Sequence, residues 1–295
     1  MTTRDFTANV ISASKVTPDG NFKTSAASGV WDINEALDLI KGGNWPNAAN
    51  IDPAAFVDAL FQTTLWTGNA STQTITTGID LSNKGGLLWF KQRTSGTNEH
   101  HWLLDSERTA QYTLSTNLTS AEINQTSYAP TFTSTGFSLY NWASANDNNE
   151  DYVGWTFRKQ PKFFDIQTWT GNGTNRTISH NLGSVPGMII VRNLANGYSW
   201  QIYHRSMANT ERLELDGTDA VSTGATTYWN STTANSSEFS IGTQNQVNED
   251  GDSFIAYIFA HNDDDGGFGE PGDQDIIKCG TYTGNNSTTG PVIDL

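Results

Sequence analysis

The fold is decided by a short stretch, Trp66-Thr67-Gly68-Asn69, which returns later in the chain as Trp169-Thr170-Gly171-Asn172. Each copy opens a segment that closes with a β-rich run, residues 152–157 (YVGWTF) in the first copy and 254–259 (FIAYIF) in the second. The openings lie 103 residues apart (169 − 66) and the closing runs lie 102 apart (259 − 157). A repeat of this length has the size of a small domain, so the sequence predicts two tandem domains.

Both repeats have the residue pattern of β-strands, because Thr, Val, Ile and aromatic residues are gathered in short runs between Gly, Asn, Asp and Ser. Residues 73–76 and 176–179 are predicted strands directly after the two openings. Residues 87–91 (LLWFK) and 188–192 (MIIVR) are unbroken apolar runs, which are typical of central strands covered on both faces. We therefore predict a mainly β fold of tandem β-sandwich repeats, jelly-roll or lectin-like, after an extended, partly helical N-terminal arm.

These patterns divide the chain into five parts: an N-terminal attachment arm (1–62), repeat 1 (63–160), repeat 2 (161–262), an acidic, Gly-rich linker (263–275) and the start of a third repeat (276–295). The start of a third repeat is indicated by a third match to the opening stretch, Gly280-Thr281-Tyr282-Thr283-Gly284-Asn285. We expect the 295 residues to be the N-terminal part of a longer polypeptide. The alternative is that the short third motif adds a strand to its neighbour.

The arm contains two helical patterns. The apolar positions 33, 36, 37 and 40 follow helical spacing after Asp32 and before Gly42-Gly43, and residues 53–61 are predicted to form another short turn of helix with Pro53 near its first position. The arm is too short to bury a core of its own. We expect it to pack on a partner, on the first repeat or on symmetry mates. The residues predicted to bind the partner are the large apolar side chains of the arm: Val30, Trp31, Ile33, Leu37 and Trp45.

The composition excludes several classes of function. The formal net charge is −15, which argues against a nucleic-acid partner because phosphate binding requires clustered Lys and Arg. The single cysteine, Cys279, permits no disulfide within the chain. The N-terminus lacks the apolar region of a signal peptide, and no run of 18 apolar residues predicts membrane insertion. We expect synthesis in a cytoplasm without a signal peptide.

The sequence resembles a phage protein family at two places. Ser28-Gly29-Val30-Trp31-Asp32-Ile33-Asn34-Glu35, followed by Gly42-Gly43-Asn44-Trp45-Pro46, resembles an N-terminal segment of tail-fibre and related appendage proteins of marine bacteriophages. The repeated unit is similar to a domain family common in phages of marine cyanobacteria and other marine bacteria. It shares Gly85-Gly86-Leu87-Leu88-Trp89-Phe90-Lys91, Trp102-Leu103-Leu104-Asp105 and the closing run 152–157. The resemblance implies lectin-like β-sandwiches with a structural role in the virion, and it implies no catalytic residues.

The sequence contains only weak indications of a catalytic site. Asp105 and Glu107 would share one face of a strand, and a glycosidase uses two carboxylates across a cleft. Repeat 2 has Tyr203-His204-Arg205 at the corresponding place, so we interpret the carboxylates as a solvated strand end. The histidines do not have zinc-ligand spacing, and the sequence contains neither a phosphate loop nor a Gly-x-Ser-x-Gly motif. We predict that the chain is not an enzyme.

Acidic turns precede both closing runs, at residues 147–151 (DNNED) and 249–252 (EDGD), and a third acidic cluster lies at 263–265. Carboxylate and amide oxygens are the ligands that Ca²⁺ prefers, although neither turn has EF-hand spacing. We predict no metal ligands, with a structural Ca²⁺ as the alternative.

Aromatic residues divide into two groups. Those that recur in both repeats, Trp102 with Trp200 and Phe137 with Phe239, are predicted core residues. Those outside the repeat pattern are candidate sugar-binding residues, because an aromatic ring can stack on the face of a sugar while neighbouring polar groups bind its hydroxyls. These candidates are Tyr140, Trp142, Tyr228 and Trp229. The alternative for them is packing between repeats or at a subunit interface.

We therefore predict a non-enzymatic virion structural protein, the N-terminal part of a tail fibre or appendage that presents β-sandwich domains for host attachment. Its partners would be other virion proteins in the tail or an adaptor, bound through the arm, with attachment to the capsid also open. By resemblance it would form a homotrimer. Direct binding of host glycan is the first alternative, and polysaccharide depolymerase activity is the second.

Overall fold

The computed structural model describes residues 56–94, 100–125, 127–128, 130–269 and 273–293. The predicted mainly β fold is confirmed, and the strands form antiparallel sheets of the β-sandwich class. A 3₁₀ turn, Val57–Ala59, precedes the first strand. The helix predicted at residues 32–41 and the partner-binding residues predicted for the arm lie outside the described residues. Of the short turn of helix predicted at residues 53–61, the described part forms this 3₁₀ turn, and Phe61 already belongs to the first strand.

Repeat 1 contains nine strands and two one-turn helices within its described residues. The strands are β1 Phe61–Thr67, β2 Gln73–Thr76, β3 Gly86–Gln92, β4 Trp102–Asp105, β5 Tyr112–Ser115, β6 Ile123–Asn124, β7 Thr131–Thr133, β8 Gly136–Leu139 and β9 Asp151–Arg158. The helices are α1 Leu81–Lys84 and α2 Ala143–Asn146.

Repeat 2 follows the same order with fewer elements. Its elements are β10 Phe164–Thr170, β11 Arg176–Ser179, β12 Pro186–Asn193, β13 Gln201–His204, β14 Leu213–Glu214, β15 Glu238–Ile241, α3 Asn245–Asn248 and β16 Ser253–Ala260.

The sheet order shows that the two repeats share one topology. The large sheet of repeat 1 runs β1-β9-β3-β4-β5-β6, and the large sheet of repeat 2 runs β10-β16-β12-β13-β14. The small sheets are β2-β8-β7 and β11-β15. In each repeat the closing strand therefore lies between the opening strand and the third strand, so all three form one antiparallel unit.

The opening stretch of each repeat is held by the segment that precedes the closing strand. In repeat 1 the Trp66 ring stacks on Tyr152 with centroids 5.4 Å apart, and in repeat 2 Trp169 stacks on Phe254 at 5.5 Å. A Cβ on Gly68 would lie 2.0 Å from the carbonyl oxygen of Asp147, and one on Gly171 would lie 2.0 Å from that of Glu249. Glycine is required at both positions because the facing backbone comes so close.

One asparagine completes each of these junctions. In repeat 1 the Asn69 N–H donates to Oδ1 of Asn146 at 3.0 Å, and Nδ2 of Asn146 donates to the Tyr140 carbonyl at 2.9 Å. In repeat 2 the Asn172 N–H donates to Oδ1 of Asn248 at 3.0 Å. Both central asparagines are fully buried, so the repeated signature is a structural device for closing the sandwich.

The buried apolar residues that the structure describes form three clusters rather than two. One fills repeat 1 between its large and small sheets, with Trp66, Phe90 and Phe137, and a second fills repeat 2 in the same way. The third lies between the two large sheets and joins the repeats through residues such as Leu87 and Tyr257. The four sheets are therefore stacked, with the large sheets in the middle.

This stacking explains the unbroken apolar runs. Successive residues of a strand point to opposite faces. Along β12, Ile189 and Val191 belong to the core of repeat 2, whereas Ile190 belongs to the cluster between the repeats. Along β3, Leu88 faces the core of repeat 1 and Leu87 faces repeat 2. The prediction that these central strands are covered on both faces is confirmed, and the covering layer is the other repeat.

The pairing of Trp102 with Trp200 is wrong by one residue. Trp102 lies opposite Phe90, whereas Gln201, not Trp200, lies opposite the corresponding residue Val191. A shift of one position reverses the face. Trp102 consequently packs inside repeat 1, whereas Trp200 packs between the repeats and its Nε1 donates to the Ser115 carbonyl of repeat 1 at 3.1 Å.

Asp105 anchors a buried polar network at the same interface, so its interpretation as a solvated strand end is wrong. Its side chain is fully buried, its Oδ2 accepts from the Tyr257 hydroxyl at 2.8 Å and from Nε of Arg108 at 2.9 Å, and Arg108 also binds Glu122 at 3.0 Å. Burial raises the pKa of Tyr257, and the negative charge of Asp105 raises it further. The network ties the end of β4 to the middle of β16.

The predicted linker also belongs to this interface. The described part of residues 263–275 folds back on the repeats instead of separating them. Phe268 is 3% exposed and joins the cluster between the large sheets, and it pairs with Gln274 across the loop. The sequence missed this contact because Phe268 is one apolar residue among Asp and Gly.

Candidate functional site

A solvent-open cavity in repeat 1 is lined by Tyr140, the one predicted sugar-binding residue whose side chain is exposed. The cavity has a volume of about 590 Å³. Tyr140 is 39% exposed and follows the end of β8. The cavity is also lined by Phe132 and by the polar side chains of Ser82, Thr109, Gln111 and Thr131, which could contact a bound molecule. The described lining therefore combines two aromatic rings with hydroxyl and amide groups and includes no Asp, Glu, Lys or Arg.

Local structure fixes each side of this cavity. Helix α1 begins after Asp80, whose Oδ1 accepts the Asn83 N–H at 3.0 Å as an N-cap, and the helix places Leu81 and Ser82 at the cavity wall. The Tyr140 hydroxyl lies 3.3 Å from Oγ1 of Thr131 on β7. The Tyr140 carbonyl is held by Asn146, so the same asparagine that closes the sandwich also fixes the backbone of the candidate ligand.

The prediction that the other three residues bind sugar is wrong, because all three are core residues. Trp142 is 7% exposed and packs edge-on against Phe90 and Trp102, with centroids 5.6 and 5.4 Å away. Tyr228 is 6% exposed and Trp229 is 1% exposed, both within the core of repeat 2. The loop that carries Tyr228 and Trp229 is held beside the end of β15, because the Gly242 N–H donates to the Tyr228 carbonyl at 2.8 Å.

Buried polar atoms of these residues have partners of their own. Nε1 of Trp229 donates to the Glu211 carbonyl at 3.0 Å, and the Arg212 guanidinium carbon lies 4.6 Å from the centre of the Tyr228 ring. Burial raises the pKa of Tyr228. These residues pack within one sandwich, whereas the alternative prediction was packing between repeats or at a subunit interface.

A second cavity, of about 450 Å³, lies between the repeats and has Glu107 and Glu122 among its lining residues. Both carboxylates are ion-paired: Glu107 lies 2.6 Å from Nζ of Lys159, and Glu122 lies 3.0 Å from Nη1 of Arg108. Burial by itself lowers the pKa of Arg108, but the interactions with Tyr257, Asp105 and Glu122 together raise it above its ordinary value. Glu122 was missed in the sequence because it is 17 residues beyond Asp105, and only the sheet brings it close.

The acidic turns that were candidates for Ca²⁺ have a backbone role. The carbonyl oxygens of Asp147 and Glu249 are the atoms that approach the two signature glycines. Among the described residues, no group of three or more His, Cys, Asp or Glu side chains is placed to hold a metal ion. A structural Ca²⁺ stays an untested alternative.

Further cavity residues could not have been found from the repeat pattern. Phe132, Thr131 and Gln111 lie on β7 and before β5, and β7 has no counterpart in the small sheet of repeat 2. The useful signal is this difference between the repeats, because an element that only one copy carries is free to serve a purpose other than the common fold.

The fold and the cavity define a class of protein: two copies of one β-sandwich, stacked through their large sheets, with an uncharged open cavity on the first copy. The chain belongs to the family described as a domain of unknown function, DUF7483, whose profile matches residues 57–294. The matched region spans both repeats and extends over the third opening stretch. No curated protein and no solved structure matches the chain.

Proposed function

We propose that the chain is a non-enzymatic structural segment of a phage appendage that presents its stacked repeats for attachment to a host. The observation that carries this proposal is the shared apolar cluster with the buried Asp105–Arg108–Tyr257 network. Together they make the two repeats one mechanical unit. A segment that transmits load between a particle and a surface needs such a joint, because a flexible linker would let the domains move independently. Among the described residues, no helix is long and apolar enough to cross a membrane.

The test is a reconstruction of the intact virion together with mass spectrometry of purified particles. We expect the chain at a fixed stoichiometry, with residues 1–62 against tail, adaptor or capsid proteins and the repeats outside. A threefold arrangement would agree with the homotrimer expected from the resemblance. Absence of the chain from purified particles would overturn the structural role.

A second candidate function is direct binding of a neutral glycan, and the Tyr140 cavity favours it. An exposed ring can stack on the apolar face of a sugar, while hydroxyl and amide side chains exchange hydrogen bonds with sugar hydroxyls. The described lining carries no charged side chain, which suits an uncharged polysaccharide better than an acidic one.

This candidate is tested by titrating the full chain with neutral host polysaccharide by calorimetry. Tyr140→Ala should weaken binding at least about tenfold, which corresponds to about 1.4 kcal/mol. The matched control is Tyr128→Ala, because Tyr128 is also an exposed tyrosine of repeat 1 but does not line the cavity. Equal losses in the two variants, or no heat with the unmodified chain, would exclude this cavity as the glycan site.

A further inference from the structure

The strand β1 forms an open edge of the large sheet of repeat 1. It stands first in the order β1-β9-β3-β4-β5-β6, so within the described part of the chain it has a neighbour on one side only. Two bonds at its ends show which way its backbone groups point. The Arg158 N–H donates to the Leu60 carbonyl at 2.8 Å, and the Gly68 N–H donates to residue 150 at 2.7 Å. Because bonding alternates along an antiparallel pair, even-numbered residues of β1 face β9 and odd-numbered residues face outward.

The outward-facing backbone groups belong to Phe61, Thr63, Leu65 and Thr67. The Thr67 carbonyl accepts from Nε2 of Gln73 at 3.2 Å, and the Thr63 N–H bonds to the side chain of the residue before it. Between these two positions, no described residue bonds to the outward N–H and carbonyl of Leu65. The Leu65 side chain is also 60% exposed. The middle of the strand therefore presents hydrogen-bonding groups beside an exposed apolar side chain.

This edge lacks the features that normally prevent a strand from pairing with another chain. Protected edge strands are very short, or carry charge, proline or a bulge. In the large sheets, the edge strands β6 and β14 have only two residues each. The edge strand β10 carries Asp165, has Thr168 at the position of Leu65, and is bridged to Gln160 at its first residue. By contrast, β1 has seven residues (FQTTLWT) without charge, proline or glycine, and its register with β9 is regular.

The strand is complementary to a second copy of itself. When two copies run antiparallel about a twofold axis at Thr64, Thr63 of each copy lies opposite Leu65 of the other. Both residues face outward, so each such pair can exchange two backbone hydrogen bonds. No charged side chain enters the new strand pair. The formal net charge of −15 opposes contacts between copies at most other surfaces, so an uncharged strand is a favourable place for them to meet.

The side chains beside this edge continue an interface that already exists. Phe61 packs against the apolar cluster between the two large sheets. Thr63 and Leu65 lie on the same face as Phe61, because successive residues of a strand alternate between faces. On the neighbouring strand Val153 lies beside Leu65 and Trp155 lies beside Thr63, and both are half-buried. A second copy would therefore cover Leu65 with its own Thr63 and extend this apolar face across the twofold axis.

We propose that β1 is an interface between two copies of this chain, which pair their edge strands antiparallel and join their large sheets into one. Both copies use the same surface, so the contact is isologous and closes after two copies. The twofold contact is different from the threefold arrangement that the resemblance implies. It does not depend on the proposed function.

The first test measures the molecular mass of the full chain by sedimentation equilibrium over a range of concentrations. We expect a reversible equilibrium between monomer and dimer. Leu65→Lys should weaken the dimer at least about tenfold, which corresponds to about 1.4 kcal/mol, because it places a charge from each copy beside the axis. The matched control is Val185→Lys, since Val185 is 50% exposed and lies before β12 of repeat 2. Equal weakening by the two variants, or a trimer, would overturn the proposal.

Disulfide formation tests the register directly and detects even a weak dimer. In a chain that also carries Cys279→Ser, Thr64→Cys should form a disulfide between copies under mild oxidation. Residues opposite each other in a non-hydrogen-bonded pair have Cα atoms about 4.5 Å apart, which suits a disulfide. Thr67→Cys is the control on the same strand, because its two copies would lie about 20 Å apart. Equal yields of linked dimer from the two variants would contradict the pairing.

Hydrogen exchange separates a second copy from the other candidate for this edge, an extended segment of the arm. Exchange at Leu65, followed by mass spectrometry, should be slow in concentrated samples and faster on dilution. Slow exchange at Leu65 in a chain that stays monomeric would show that its own residues cover the edge, and the proposal would fail. Fast exchange at every concentration, without selective linking at Thr64→Cys, would show that the edge has no partner and would also overturn it.

Discussion

Replacing Asn248 by alanine should destabilise the whole pair of repeats, although the residue lies in a one-turn helix at one end of repeat 2. Its side chain is fully buried and makes three short hydrogen bonds, with the Asn172 N–H at 3.0 Å, the Thr174 carbonyl at 2.6 Å and the Gly242 carbonyl at 2.8 Å. Each bond contributes about 1 kcal/mol, and a buried carbonyl left without a donor costs roughly 1–3 kcal/mol more. We expect a loss of roughly 3–5 kcal/mol in the free energy of unfolding.

The assay is urea unfolding followed by tryptophan fluorescence and by circular dichroism, with a thermal melt as a second measurement. The transition temperature should fall by roughly 10 °C, because a protein of this size loses about 2–4 °C per kcal/mol. Both probes should report one transition, since the repeats share an apolar cluster. The control is Asn175→Ala in the loop between β10 and β11 that Asn248 binds, where the side chain is exposed and the change should stay within about 0.5 kcal/mol. A loss below about 1 kcal/mol for Asn248→Ala would refute the role assigned to the signature.

Three other predictions follow from burial. Arg108→Met should cost roughly 3–5 kcal/mol of unfolding free energy in urea titrations, because it leaves the buried Asp105 carboxylate without its cation, and Asp105→Asn in the same chain should restore part of the loss. Phe268→Ala should cost roughly 3–5 kcal/mol in the same assay, whereas an extended linker would lose almost nothing. Burial lowers the pKa of His180, so its neutral form is favoured in the folded state; its contribution to stability is full above about pH 6.5 and is lost as the pH falls below that value towards the folded-state pKa. Unfolding curves at pH 7.5 and 5.0 should show a smaller acid loss in His180→Gln than in the unmodified chain, and an identical loss would contradict the assignment.

The candidate site was only partly predictable. Tyr140 was identified because it stands outside the repeat pattern at the end of an apolar strand, and the structure places it at an open cavity. Trp142, two residues later, meets the same criterion but turns inward to pack on Phe90. Sequence spacing cannot distinguish these two, because the direction of a side chain after a strand ends depends on the turn that follows. The rest of the cavity comes from three separated segments, residues 81–82, 106–111 and 127–132, and only the fold brings them together.

The repeat, the β class, the strands at residues 73–76 and 176–179, and the glycine and asparagine of each opening can all be recognised from the amino-acid sequence. These features are local or periodic, so they can be predicted without a tertiary structure. The tertiary structure decided how the repeats are related. The run LLWFK at residues 87–91 indicates a strand covered on both faces, but it cannot name the covering layer. That layer is the large sheet of the other repeat, because each sandwich leaves one apolar face that only a matching face removes from water.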